Sequence, residues 1–372
     1  MVTSVASMIK QFNIPNIRLL QEQGYEVTVV TNFINPGTIP VEDSKKLVSQ
    51  LKSIGVNPIN VNIQRSPLDK KNIEAYQDIK KIISSGNFDL IHCQSPIGGA
   101  LTRIAARKKR KKGVKVVYTA HGFHFFKNGP IKYWLTFYPI EKYLSNYTDI
   151  LITINKEDYQ IAKRKFGAQK VVYIPGVGVD TEKFKNVNVD KTEKRRELNI
   201  PKEAFLILSI GELSARKNHE VAIRAIATLN NPNIYYVICG QGELEHELKK
   251  LSIDLKISDK VQFLGYRNDI YEICKVSDLF IFPSTQEGLP VALMEAMASE
   301  LPIVCSNIRG NNDLVIDGKG GFLVSQNNIK KYARSIEKIV DNESTMGKYN
   351  GKVIKNYTKD VVTKEMQSIY SL

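Results

Sequence analysis

The stretch DLFIFPSTQEGLPVALMEAMASELPIVCS, residues 278–306, sets an apolar run, a loop, a helical segment and a second apolar run in succession. Near-continuous apolar runs on either side of a helical pattern predict strands buried on both faces, as in a parallel sheet covered by helices. The alternation extends in both directions from there. FLILSI (205–210), IYYVICG (234–240) and KVQFLG (260–265) precede it. Beyond a polar, charge-dense stretch at 182–203 lie EVTVVT (26–31), FDLIHC (88–93), VKVVYT (114–119), DILITI (149–154) and VVYIP (171–175). The restart after that stretch predicts an α/β protein of two Rossmann-like, doubly wound domains. Their expected limits are 1–178 and 179–350, with a last helix at about 351–372 packing back on the first. Residues 327–372 read as helices with no further strand. The chain opens directly on Met1-Val2-Thr3-Ser4, too short for a full central strand. Either the reading frame starts a few codons upstream or that strand is short.

The totals agree with this plan. A length of 372 residues, 42% hydrophobic and 24% charged, suits two soluble cores. No apolar run approaches the roughly 18 residues of a membrane span, and no signal-peptide pattern is evident. Cys93, Cys239, Cys274 and Cys305 form no CxxC pair, so buried reduced thiols in a cytosolic protein are expected. Charge is lopsided: residues 1–185 hold 28 Lys+Arg against 14 Asp+Glu, whereas residues 186–372 hold 25 against 24. The first half is therefore expected to face something anionic.

Glu287 and Glu295 flank Gly288 and Pro290 in the opening stretch. Pro290 suits an early helix position, so a helix should begin just after Gly288. The free N–H groups of its first turn form a site for a diphosphate. Glu287, in the loop, could accept hydrogen bonds from sugar hydroxyls, and Glu295, about one turn inside, could take both hydroxyls of a ribose. His121 directly follows the strand VKVVYT, at the carboxyl end where parallel sheets hold ligands, and Gly122 lets backbone approach one.

This stretch resembles the E-x7-E region of retaining glycosyltransferases of the GT-B fold, in the large family-four group, of the bacterial capsule and exopolysaccharide type. TAHGFHFF, LITINKEDY, IPGVGVD and FPSTQEGLPVALMEAMAS occur here in the order typical of that group. The resemblance implies two Rossmann-like domains facing a cleft, and a hexosyl- or N-acetylhexosaminyltransferase. It implies that Glu287 holds the donor sugar and Glu295 the ribose, with Gly288, Leu289, Pro290 and Val291 presenting backbone to the diphosphate. Lys217, helped by Arg216, would neutralise the leaving diphosphate. Gly265, Tyr266 and Arg267 would read the base, and His121 would lie close to the reacting sugar. Ser4 and Ser7 would contact donor or acceptor. The donor implied is a UDP-sugar and the acceptor a polyprenyl-diphosphate-linked sugar, with no cofactor. No Asp-x-Asp triplet occurs, so no metal is expected. Two departures stand out: Glu212 replaces an arginine that most relatives use for the diphosphate, and Glu300 stands near where relatives often carry glycine.

The run TRIAARKKRKKGVK (102–115) holds eight basic residues and no acid. Arg107, Lys108, Lys109, Arg110, Lys111 and Lys112, with Trp134 in the aromatic stretch that follows, form a candidate patch for an anionic membrane surface. That patch would place the enzyme in the cytoplasm, peripheral on the inner face of the plasma membrane. Three other readings compete with the transferase. A nucleic-acid-binding protein accounts for the basic half but leaves the second half idle. An NAD-linked oxidoreductase would draw on GQGELE (240–245), whose third fingerprint glycine is Glu245. A nucleotide-sugar epimerase on the same scaffold is the nearest rival enzyme.

Overall fold

A computed structural model describes residues 1–341 and 345–371. The strands of the first half are β1 (Thr28–Thr31), β2 (Asn57–Asn60), β3 (Leu90–Gln94), β4 (Lys115–Ala120), β5 (Ile150–Thr153) and β6 (Lys170–Tyr173). Those of the second are β7 (Phe205–Ile210), β8 (Ile234–Cys239), β9 (Val261–Gly265), β10 (Leu279–Phe282), β11 (Ile303–Ser306) and β12 (Gly321–Val324). Every pairing between them is parallel. Met1–Val177, with the chain from Val362 onward, forms one unit, and Gly178–Val361 forms the other.

The second sheet runs β12-β11-β10-β7-β8-β9. Its strand order reverses between β7 and β10, so the loops leaving those two strands diverge around a crevice at their carboxyl ends. The first sheet has the same plan with an abbreviated centre. Val2 bridges β1 at Val30 and β3 at Cys93, both in parallel. Val2 N donates to the His92 carbonyl, Gln94 N to the Val2 carbonyl, and Thr3 N to the Val30 carbonyl. One residue with its neighbours thus does the work of the central strand, and the reversal in this unit falls between Val2 and β3.

Two strands escape the sequence pattern. β2 reads NPIN and pairs only with β1, so its proline sits on an edge where a missing N–H costs nothing. β12 reads GFLV and is the other kind of edge, short and led by a glycine. A Cβ at Gly321 would lie 1.9 Å from the Ile303 carbonyl oxygen, which explains the glycine. The glycines of GQGELE are also structural. A Cβ at Gly240 would fall 1.9 Å from the Gly211 oxygen, and one at Gly242 2.4 Å from that of Leu213. They let the loops after β7 and β8 pack backbone to backbone.

The return to the first unit begins at Val362, later than the sequence suggested, and Met346–Val353 stays with the second unit. The helix Lys359–Tyr370 buries Val362, Met366, Ile369 and Tyr370 against Ile17, Val29 and Ile152. Tyr370 Oη meets His92 Nδ1 at 2.8 Å, and burial pushes the His92 pKa down to about 3. All four cysteines are buried and unbridged.

Glu300, just past the helix Val291–Ala298, has φ +59°, a left-handed conformation that a β-carbon disfavours. Glycine, which has no β-carbon, removes that strain. Glu300→Gly should stabilise the second unit by about 1 kcal/mol, seen as a higher melting temperature. A lower one would show that the Glu300 side chain contributes more than its backbone costs.

Candidate functional site

The crevice of the second sheet is built by the loop 211–218 after β7 and the loop 283–290 after β10. Thr285 joins them, its N–H donating to the Arg216 carbonyl at 2.8 Å. Asn218, in a left-handed conformation, starts the helix His219–Leu229 and aims its amide at the Pro283 carbonyl at 3.3 Å. Between the loops, Lys217 Nζ and Arg216 Nη1 both reach Oε1 of Glu287, at 2.8 and 2.9 Å. Glu287 and Lys217 are nearly enclosed, while Arg216 is 44% exposed. Burial lowers the Lys217 pKa and Glu287 partly restores it. Exposed Glu212 acts on the same lysine in the same direction, more weakly than Glu287.

The helix Val291–Ala298 begins directly after this ion cluster. Pro290 is its N-cap with φ −78° and ψ 120°, and no side chain caps it. Its first N–H groups and dipole therefore offer an anion site beside Glu287. Leu289 and Pro290 are buried and Gly288 and Val291 half-buried. Gly310, at φ +83°, lets the neighbouring loop close on them, since a Cβ there would sit 2.4 Å from the Gly288 oxygen. Arg309 Nε holds the Glu287 carbonyl at 3.1 Å. Burial pushes the Glu295 pKa up to about 7, against the pull of Lys183 and Lys359. Its carboxyl therefore holds a proton to higher pH than an ordinary glutamate, and in that form it can donate as well as accept.

At the end of β9, Gly265 has φ +65° and Tyr266 is 75% exposed. Arg267 is committed elsewhere: its guanidinium bonds Asp269 and Glu197, and Lys194 joins the same carboxylates. Burial raises the Asp269 pKa, but the bonds from Arg267 and Lys194 outweigh it and bring it down to about 2. The Nε and Nη2 atoms of Arg267 are thus tied to carboxylates of its own unit.

In the first unit, His121 follows β4 and sets Nε2 at 2.8 Å from Gln94 Oε1. Burial pushes its pKa down to about 4. Gly122 takes φ +126°, the turn that glycine allows, and Phe123 N then donates to Asp158 at 2.9 Å. His124 stacks on Phe137 with centroids 4.4 Å apart. Ser4 and Ser7 are buried. Ser4 Oγ lies 2.7 Å from Ser95 Oγ and accepts from Gly98 N, capping the helix Pro96–Arg110. Ser7 N donates to the Pro36 carbonyl. Sequence reasoning did not single out Gln94, Asn13 or Ser95. The signal available was Ser95-Pro96 after a strand, an extended residue leading into a helix start.

The basic run divides. Arg103 is fully buried in an ion pair with Glu141. Arg110 pairs with Asp149, and Lys109 donates to the Gly86 carbonyl. Arg107, Lys108, Lys111 and Lys112 remain exposed. Trp134 turns inward, its Nε1 bonded to the Phe126 carbonyl and its ring against Phe125 and Tyr138. The exposed apolar side chains of its helix are instead Ile131, Leu135, Ile140 and Tyr143. Among the described residues, no helix is long and apolar enough to cross a membrane, and no three His, Cys, Asp or Glu side chains gather as metal ligands would.

Residues 17–183 match the glycosyltransferase family 4 domain and residues 190–360 the glycosyl transferases group 1 domain. The chain is 35% identical over 371 residues to the putative glycosyltransferase EpsD of Bacillus subtilis, covering 97% of this chain and 93% of that one. It is 30% identical over 345 residues to an Escherichia coli UDP-Gal:alpha-D-GlcNAc-diphosphoundecaprenol alpha-1,3-galactosyltransferase, covering 91% and 86%. HepE of Anabaena, solved in complex with UDP, superposes with a TM-score of 0.78 at 19% identity, over 100% of this chain and 99% of that one. With both sheets, their reversals and the loop cluster in agreement, the chain belongs to the family-four, group-one glycosyltransferases of the GT-B fold.

Proposed function

We propose that this glycosyltransferase moves a sugar from a UDP-sugar, with retention at the anomeric carbon, onto a polyprenyl-diphosphate-linked glycan during capsule or exopolysaccharide synthesis. The observation that carries it is the convergence of Lys217 and Arg216 on one oxygen of Glu287, in front of an uncapped helix start. An arriving diphosphate offers the two cations and the helix N–H groups a better partner. Glu287 is thereby released to accept hydrogen bonds from the donor sugar, and Glu295 takes the ribose. As the bond from the anomeric carbon to phosphate breaks, Lys217, Arg216 and the helix dipole stabilise the charge that develops, without a metal. The acceptor oxygen bonds the same face of that carbon and its proton passes to the departing phosphate. The galactosyltransferase relative acts on a diphosphoundecaprenol-linked sugar, and HepE was solved with UDP-glucose, which supports both substrate classes.

Thermal shift against UDP, GDP, ADP, NAD and UDP-sugars, without metal, tests the donor. Ligand at about 100 times its Kd adds about 2.7 kcal/mol of stability. UDP and one UDP-sugar should shift the melting temperature; no shift with any nucleotide would overturn the reading. The anomeric proton coupling of the product then reports retention.

The acceptor class calls for a membrane surface, and we place the enzyme in the cytoplasm on the inner face of the plasma membrane. Arg107, Lys108, Lys111 and Lys112 lie on or just past one helix, and Ile131, Leu135, Ile140 and Tyr143 on the next, where Arg107 acts electrostatically on Tyr143. Exposed bases beside exposed apolar side chains suit an anionic interface. Each lysine contributes about 1 kcal/mol there, so changing Lys108, Lys111 and Lys112 to Ser should weaken liposome binding by about a hundredfold. Binding that ignores the substitutions, in vesicles of anionic phospholipid, would sink the surface assignment.

A further inference from the structure

At the reversal of the first sheet, a line of polar side chains leads to His121. Asn13 closes one π-helical turn, Ile9–Asn13, an irregularity found often at functional sites. Its Nδ2 donates to the Met8 carbonyl at 2.9 Å and to Gln94 Oε1 at 3.1 Å. A main-chain carbonyl can only accept, so the first bond fixes which end of the Asn13 amide is nitrogen. Asn13 Oδ1 accepts from Asn16 and from Gln94 Nε2. The two amides are thus paired head to tail, and Gln94 has one orientation. The atom it shows to His121 Nε2 is the oxygen, which has no proton to give.

We propose that Asn13 and Gln94 are positioning residues that hold His121 as its Nε2–H tautomer, leaving the Nδ1 lone pair to accept a hydrogen bond from a substrate hydroxyl. This rests on the reading of His121 beside the transferred sugar, and it specifies which proton the ring carries there. Asn13 and Gln94 are both buried, so neither amide can trade its partner for water. Ser95, next to Gln94, adopts φ 66° and ψ 152°, a conformation that only glycine takes without strain. It is held by Ser4 across the reversal, with Ser4 N donating to Ser95 Oγ at 3.1 Å. The strained turn sets where β3 ends and so where Gln94 points. The Phe12 ring lies 6.1 Å from the imidazole. His92, the titratable neighbour that senses a charge on His121, is itself held neutral by burial. Burial is what shifts His121, and among the described residues no charged group is seen acting on its ring.

The test is 15N NMR of the histidine side chains of the full-length protein between pH 5 and 8, with His121 among the five histidines identified by loss of its signal in His121→Gln. The expected pattern is a protonated Nε2, a bare Nδ1 and no titration above pH 5. An Nδ1–H tautomer, or a midpoint near the ordinary histidine value, overturns the proposal whatever sugar the enzyme moves. Gln94→Met removes the acceptor; the tautomers should mix and kcat should fall by up to about a hundredfold, with donor KM within about twofold. Gln94→Glu keeps an acceptor and favours the imidazolium, so the acid limb of the kcat profile should move to higher pH. Mixed tautomers in Gln94→Met with unchanged kcat would overturn the part the pair plays in transfer.

Discussion

Glu287→Gln should lower kcat for transfer by about a hundred- to a thousandfold while UDP binds at least as tightly as to the native enzyme. The asymmetry follows from the geometry. One carboxylate oxygen accepts from both Lys217 and Arg216, so in the free enzyme Glu287 competes with a diphosphate for the same two cations. Neutralising it frees them for phosphate but replaces the charged acceptor that would grip the sugar as charge develops with a weaker amide carbonyl. A titration effect accompanies the loss. Burial already holds the Lys217 pKa below its ordinary value, and Glu287 is the main group raising it. Without Glu287 that pKa falls further, so UDP binding, present while Lys217 is charged, should be lost at lower pH than in the native enzyme. Transfer kinetics and UDP calorimetry across pH 7 to 10 measure both. Parallel loss of UDP affinity and kcat at neutral pH would mean that Glu287 serves to orient Lys217 and does not itself hold the sugar.

The cations that prediction depends on were legible because strand patterns are local. β7 and β10 are apolar runs that name themselves, and reversal of strand order between them puts the loops of Lys217 and Glu287 together. Edge strands such as NPIN carry no such pattern, because an edge needs only one partner and tolerates proline. Side-chain commitments are the least legible of all. Arg267 reads as a candidate for a nucleotide, yet Asp269 and Glu197 hold it, and Glu197 lies seventy positions away. Trp134 reads as an interfacial aromatic, yet its indole N–H is satisfied by a backbone carbonyl within the aromatic cluster. Gln94 was invisible for the same reason: nothing in LIHCQS tells that its amide will meet Asn13 on one side and His121 on the other.

Arg103 is the sharpest case, and its removal should cost the first unit about 3–5 kcal/mol. In sequence it is one of eight bases in a run that looks solvated. In the fold its side chain is wholly buried, with Nη2 on Glu141 Oε2 at 2.8 Å and Nε on the Gly99 carbonyl at 3.0 Å. Its guanidinium lies 3.8 Å over the Tyr118 ring, and the Tyr118 hydroxyl donates to the other Glu141 oxygen at 3.1 Å. Gly99 makes room, since a Cβ there would strike the Tyr118 ring at 2.4 Å. Arg103→Met keeps most of the volume but leaves the Glu141 carboxylate buried with one neutral donor. The penalty is the desolvation of that charge, not the worth of the pair. Arg103→Met combined with Glu141→Leu removes both charges, and much of the loss should return, because apolar replacements of a buried pair are often neutral. Trp134 is the only tryptophan and shares the helix Ile131–Ser145 with Glu141, so its fluorescence in urea follows this unit alone. With a urea slope of about 2 kcal/mol per molar, the single variant should lower the midpoint by about 2 M. A double variant as unstable as the single one would show that packing around Tyr118, rather than the unpaired carboxylate, sets the cost.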